Sequence, residues 1–148
     1  MELLIDREIV GAERAFAGFG EVRLFDGRKL DAAQLGRAEV LLVRSVTVVD
    51  ASLLRGSRVR FVGTATAGID HVDTDFLTAS GVAFACAAGC NARAVAEHVI
   101  ACLYRHAASR GVPVTALRVA IVGYGHVGRA LGLLLRRLGV PFAANDPP

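Results

Sequence analysis

Gly123-Tyr124-Gly125-His126-Val127-Gly128 sets three glycines at the spacing G-x-G-x-x-G. The run sits between a short apolar stretch, Val119 to Val122, and a helical pattern from Val127 to Leu138. That context separates a phosphate-binding turn from a chance cluster of glycines. The three positions have different tasks. Gly123 permits the tight turn, Gly125 lets the backbone approach a pyrophosphate with no Cβ in the way, and Gly128 lets the helix pack closely on the strand. The free N–H groups around His126 and Val127, together with the helix dipole, attract the phosphates. Asp146 follows Gly128 by 18 residues, the distance at which a carboxylate meets the adenosine ribose. It would accept hydrogen bonds from the ribose hydroxyls and repel a 2′-phosphate, which favours NAD over NADP. The bland alternative is a structural turn with Asp146 in a solvated loop.

A second set of polar residues lies earlier. Val62-Gly63-Thr64-Ala65-Thr66-Ala67-Gly68-Ile69-Asp70-His71-Val72-Asp73 places small residues after an apolar run, where backbone amides can point at an anion. Val43-Arg44-Ser45-Val46-Thr47 ends another such run. In an open α/β sheet, ligands sit at these carboxyl ends of strands. Spacing alone leaves open that these are ordinary strand-to-helix loops. His71 reads as a hydrogen-bonding residue of its turn rather than a base. His106 falls on the exposed end of a long helix, and Glu97 is expected to face a helix interior or interface.

The elements that must hold these residues alternate. Strands are expected at Leu3 to Asp6, Glu21 to Phe25, Val40 to Val43, Arg60 to Gly63 and Val82 to Ala85. Helical patterns fall between them at Ile9 to Ala17, Ala51 to Leu54 and Asp75 to Ala79. Such alternation predicts a parallel, doubly wound α/β sheet covered on both faces. A long helix follows from Ala92 to about Ser109, with Asn91 as N-cap and with Gly111 and Pro113 as its stop. Val119 to Val122, Val127 to Leu138 and Pro141 to Ala144 then make one βαβ unit. The expected organisation is residues 1–91 as a first domain, 92–112 as an interdomain helix, and 113–148 as the start of a dinucleotide-binding domain. Two strands and one helix cannot cover both faces of a sheet, so the sequence reads as the N-terminal part of a longer fold.

Composition narrows the partners. Apolar residues make up 53% of the 148, enough for a sizeable core, and no apolar run approaches the roughly 20 residues of a spanning helix. No basic-then-apolar leader opens the chain. The formal charge of +3 has no clustered basic face behind it, which argues against nucleic acid and membrane partners. Cys86, Cys90 and Cys102 are an odd set and point to reduced thiols in a cytoplasmic protein. Their spacing fits buried small side chains better than a metal site, even though His98 and Cys102 are one helical turn apart.

Taken together, Val43-Arg44-Ser45-x-Thr47, the Gly63 to Asp73 run, Gly89-Cys90-Asn91 with Val95-Ala96-Glu97, and the dinucleotide motif resemble the D-isomer-specific 2-hydroxyacid dehydrogenases. The resemblance covers nearly the whole chain. It implies a flavodoxin-like substrate domain followed by the first βαβ unit of a Rossmann domain. It also implies oxidation of a phosphorylated hydroxy acid with NAD as hydride acceptor, and a homodimer for the full-length protein. By the same resemblance Ser45 and Thr66 match positions that contact substrate, and Asp146 matches one that binds NAD. The family's catalytic arginine, glutamate and histidine are expected beyond Pro148, so no residue of this chain takes those roles. A phosphoglycerate or glycerate dehydrogenase, or a non-catalytic NAD-sensing corepressor, shares the same fold, and fold alone does not separate them.

Overall fold

The computed structural model describes residues 1–146; Pro147 and Pro148, within the last expected segment, lie outside the described residues. The chain divides into two compact units, Met1–Ala88 and the residues from Gly89 onward.

The first unit is a five-stranded parallel sheet in the order β2-β1-β3-β4-β5, with β1 at Glu2–Asp6, β2 at Glu21–Phe25, β3 at Val40–Val43, β4 at Phe61–Thr64 and β5 at Ala83–Cys86. This is the flavodoxin-like order, whose switch point lies between β1 and β3. Alternation of side chains decides which face each residue buries. Leu4, Leu41, Val43 and Val62 point to one side. There they pack with Leu35 of α2 (Ala32–Leu35), Leu53 and Leu54 of α3 (Ala51–Leu54), and Leu77 of α4 (Thr74–Ala79). Leu3, Ile5 and Leu42 point to the other side and meet Ala12 and Phe16 of α1 (Ala12–Phe16). Each fully buried leucine or valine contributes about 1.5–3 kcal/mol, so the strands need few polar contacts to stay together.

Coverage of the second face differs from the sequence expectation. Helix α1 has five residues, not the nine of Ile9 to Ala17. At 1.5 Å per residue it is about 7.5 Å long. It leaves part of the face over β4 and β5 uncovered. A shallow apolar groove of about 290 Å³ remains there, lined among others by Phe16, Leu42, Phe61 and Ala85. Helix α2 had no counterpart in the sequence reading. Four residues are too few to show periodicity, but its capping box is complete: Asp31 accepts from the Gln34 N–H at 2.9 Å, and the Gln34 side chain accepts from the Asp31 N–H at 3.0 Å.

The second unit opens with α5 (Ala92–Ser109), continues through a 3₁₀ turn at Val114–Ala116 into β6 (Val119–Val122), and ends with α6 (His126–Arg137) and β7 (Phe142–Asn145). Strands β6 and β7 pair in parallel, Val119 against Phe142 and Val122 against Asn145. Ala96 of α5, Ile121 of β6 and Leu131 and Leu135 of α6 share one core. The bounds of α5 match the expectation, but its cap does not. Asn91 has φ −99° and ψ 0° and makes no side-chain capping bond. Capping needs an extended backbone that turns the side chain back over the first N–H groups. Asn91 is instead already in a turn, where the Ala92 N–H donates to the Gly89 carbonyl at 3.0 Å.

Candidate functional site

The glycine loop is built by its backbone. Gly123 has φ +89°, a conformation side chains resist, and its N–H donates to the Asn145 carbonyl at 2.8 Å. Gly128 is buried, and a Cβ there would run into the carbonyl of Gly123, with Ile121 Cγ2 at 3.3 Å as well. Close packing of helix on strand is therefore a steric requirement of this turn. Gly125 is the opposite case: a Cβ there would meet nothing within 4 Å. It caps a twelve-residue helix with no side-chain hydrogen bond, and the first N–H groups of a helix have no partner inside it. His126 and Val127 open that helix, and both are exposed. Open space before unpaired N–H groups at a positive helix end is a cradle that fits a dinucleotide pyrophosphate.

Asp146 closes the loop from the other side. Its Oδ1 accepts from the Tyr124 N–H at 2.7 Å, so the end of β7 is tied directly to the glycine turn. Arg129 donates to the Tyr124 carbonyl at 3.0 Å and so braces the same turn. The His126 ring lies where a Cβ on Gly89 would come within 2.9 Å of it.

In the first unit, register carries the geometry. Val43 pairs with Thr64 across β3 and β4. Ser45 and Thr66 each follow two residues later, so they leave neighbouring strands at the same carboxyl end. Two backbone bonds stitch the following loops together: the Val49 N–H donates to the His71 carbonyl and the Asp73 N–H donates to the Val49 carbonyl, both at 2.8 Å. Ser45 is exposed. Thr66 Oγ1 lies 2.8 Å from Thr64 Oγ1, which lies 3.0 Å from His71 Nε2. Burial of the His71 ring pulls its pKa below the usual imidazole value, and the nearby Asp70 charge pulls it partway back.

The structure adds a pair that spacing could not reveal. Asp6, at the end of β1, is fully buried and receives two bonds from the Arg44 guanidinium, Nε to Oδ2 at 2.9 Å and an Nη to Oδ1 at 3.3 Å. The Glu8 N–H adds a third at 3.0 Å. This pair bridges β1 and β3 at the switch point, next to Ser45. A Cβ on Gly27 would collide with the Asp6 carboxylate, and Thr47 Oγ1 donates to the Gly27 carbonyl at 2.8 Å. The residues are 38 positions apart in sequence, beyond the reach of any local pattern.

Two sequence expectations are corrected. Cys86 and Cys90 are exposed and Cys102 is half-buried. Cys86 ends β5, the last strand in the order of its sheet, and Cys90 lies in the loop before α5. Of the two places expected for Glu97, the interior is the one overturned: it is exposed and pairs with Arg93 at 2.7 Å one helical turn away. The Cys102 and His98 side chains approach to 3.6 Å, yet among the described residues no three His, Cys, Asp or Glu side chains gather as they would around a metal ion. No helix among them is long and apolar enough to cross a membrane.

Comparison with known proteins bears on the family and the fold. Residues 4–142 match the D-isomer specific 2-hydroxyacid dehydrogenase, catalytic domain, family. An erythronate-4-phosphate dehydrogenase of Azotobacter vinelandii is 48% identical over all 148 residues, and one of Proteus mirabilis is 47% identical. The chain spans 39% and 40% of their lengths. Among solved structures, an NAD⁺-bound 3-phosphoglycerate dehydrogenase of Entamoeba histolytica is similar with a TM-score of 0.74, at 20% identity. That likeness covers 99% of this chain and 54% of the other. A D-lactate dehydrogenase of Aquifex aeolicus, complexed with NAD and lactic acid, gives a TM-score of 0.72 at 17% identity, covering 100% and 52%. At these identities the structures speak for the fold alone.

Proposed function

The chain belongs to the D-isomer-specific 2-hydroxyacid dehydrogenase family, and from that premise we propose that it serves the NAD-dependent oxidation of 4-phospho-D-erythronate to the corresponding 2-oxo acid. The observation that carries the reading is the near-even match, over the chain's full length, to relatives named for this substrate. We infer further that the step belongs to the synthesis of pyridoxal 5′-phosphate and that the complete protein works as a cytoplasmic homodimer, as the resemblance implies.

Within this reading NAD, when bound, supplies the hydride acceptor. The chain's own residues do the binding. The open cradle at Gly125 and the N–H groups of His126 and Val127 receive the pyrophosphate. Gly123 and Gly128 shape that cradle. Asp146 holds the turn through one oxygen and offers the other to the ribose hydroxyls, where its charge disfavours a 2′-phosphate. Ser45 and Thr66 donate to anionic oxygens of the phosphorylated hydroxy acid. A hydrogen bond of this kind to a charged group is worth about 1.5–3 kcal/mol. The arginine, glutamate and histidine that position the carboxylate and take the hydroxyl proton are assigned beyond residue 148, and no local side chain is substituted for them.

The test is NADH formation by the complete gene product from 4-phospho-D-erythronate, 3-phospho-D-glycerate and D-glycerate. The first is expected to give the highest kcat/KM, and residues 1–148 alone are expected to give no turnover. A preference for either of the other two acids sinks the substrate assignment. Absence of NADH with all three sinks the enzyme reading.

A further inference from the structure

Thr64, Thr66 and His71 form a line of three hydrogen-bonding groups whose direction can be counted proton by proton. Each threonine hydroxyl has one hydrogen to donate. Thr66 Oγ1 reaches the Gly68 carbonyl at 3.4 Å, and a carbonyl only accepts, so the Thr66 hydrogen points that way. With the Thr66 hydrogen on that carbonyl, the hydrogen between Thr64 and Thr66, 2.8 Å apart, comes from Thr64. In that arrangement Thr64 has none left for His71, and at 3.0 Å the His71 Nε2 is the donor. Thr64 is only 4% exposed, which leaves little room for water to supply a different partner. The direction therefore runs from the imidazole, through the buried hydroxyl, to a hydroxyl at the strand end. The last bond is long, so its hydrogen is held weakly and can be given up to a better acceptor.

We propose that His71 and Thr64 are positioning residues that commit the Thr66 hydroxyl to donating toward an anionic oxygen of the substrate. This rests on the reading that Thr66 contacts substrate. Without the line, the hydroxyl is free to rotate and present lone pairs to the anion. With it, one lone pair of the Thr66 oxygen is taken by the Thr64 hydrogen, and each donation polarises the next. The backbone bonds from Val49 and Asp73 fix the loop that carries His71. Burial favours a neutral ring, so the choice of tautomer matters: the Nε2–H form aims Thr66 outward as a donor, and the Nδ1–H form reverses the line.

The experiment uses the complete gene product with nitrogen-labelled histidine. Long-range proton–nitrogen correlation, with His71 assigned by its loss in His71→Asn, is expected to show the Nε2–H tautomer; the Nδ1–H tautomer overturns the proposal. Kinetics give a second readout. Thr64→Val is expected to raise the KM for 4-phospho-D-erythronate about tenfold, the size of one weakened bond to a charged group, with little change in kcat. Thr64→Ser restores the hydroxyl and the KM. Adding Thr64→Val to Thr66→Ala costs nothing more, because the line acts only through Thr66. A raised KM in Thr66→Ala with a wild-type KM in Thr64→Val removes the relay and leaves the functional reading standing. An unchanged KM in Thr66→Ala removes Thr66 from the substrate site, and the proposal with it.

Discussion

Under the proposed function, the two units handle a ligand in opposite ways. In the first, side chains do the work: Asp6, Arg44, Thr64, Thr66 and His71 hold one another by hydrogen bonds at the carboxyl ends of β1, β3 and β4. In the second, the backbone does it, and what matters is where side chains are missing. Gly125 leaves space open, and Gly128 has no space to give. A side-chain site can be tuned by exchanging one polar group for another. A backbone site is fixed once the turn is fixed, which suits a cofactor that many enzymes share, whereas the substrate differs from one enzyme to the next.

The sharpest way to break this contrast is at the two glycines. Gly128→Ala should destabilise the second unit by about 3 kcal/mol, the upper end for forced overpacking, because the new Cβ meets backbone that cannot move aside. Gly125→Ala should leave melting nearly unchanged and weaken NAD binding, since the methyl occupies only open space. Calorimetry on both variants decides it. Equal melting losses would show that the loop is not divided into a packing glycine and a binding glycine.

The next largest effect belongs to the first unit. Removing the buried carboxylate in Asp6→Ala should cost about 2 kcal/mol, between the values for exposed and for fully buried pairs, because the Arg44 side chain is 30% exposed and can regain water. Chemical denaturation of the variant checks it. A loss below about 0.5 kcal/mol, the range of exposed ion pairs, would mean that the pair does not hold β1 to β3.

Asp146 sits where the two strategies meet, a side chain that serves a backbone site. Asp146→Asn retains an oxygen for the Tyr124 N–H and removes the charge. It should lower the NAD/NADP ratio of kcat/KM about fivefold, the scale of an interaction between partly exposed charges. Measuring both cofactors on wild type and variant tests this, and an unchanged ratio would remove Asp146 from cofactor choice.

The smallest effect is a pH dependence confined to the first unit. His71 titrates below its ordinary value of 6.5 because its ring is partly buried. Between the lowered value and 6.5 the unfolded chain binds more protons than the folded one, so stability is full above about 6.5 and declines as pH falls through that window. Denaturation midpoints between pH 7.5 and 5 should drop more in wild type than in His71→Asn. Parallel slopes for the two proteins would contradict the shift.

What could be read from sequence follows the range of each signal. Strand β3 and helix α5 were legible because four to eighteen consecutive residues repeat one pattern, and α5 ends before Gly111 and Pro113. The glycine turn was legible because its steric demands fall within six residues. Helix α1 came out shorter than its apolar pattern, since Ile9 belongs to the turn that precedes it. Asp6 with Arg44 stayed hidden because only the pairing of β1 with β3 brings them together. His71 was correctly read as a hydrogen-bonding residue, but its partner Thr64 depends on how the loop folds back on β4. The cysteines were misjudged because a preference for burial says nothing about which strand lies at an edge.

The contact between Gly128 and the carbonyl of Gly123 also has a meaning in the genetic code. Every codon change that replaces glycine introduces a Cβ, so no missense mutation at this position is a mild one. Alanine, serine and valine meet the same carbonyl as arginine or aspartate, before their chemistry is felt. A saturation scan should therefore show a flat floor at codon 128, while codon 146 shows a graded series that tracks charge and hydrogen-bonding capacity. Along a lineage, any change at the first position costs stability, and the second can drift as the preferred cofactor drifts.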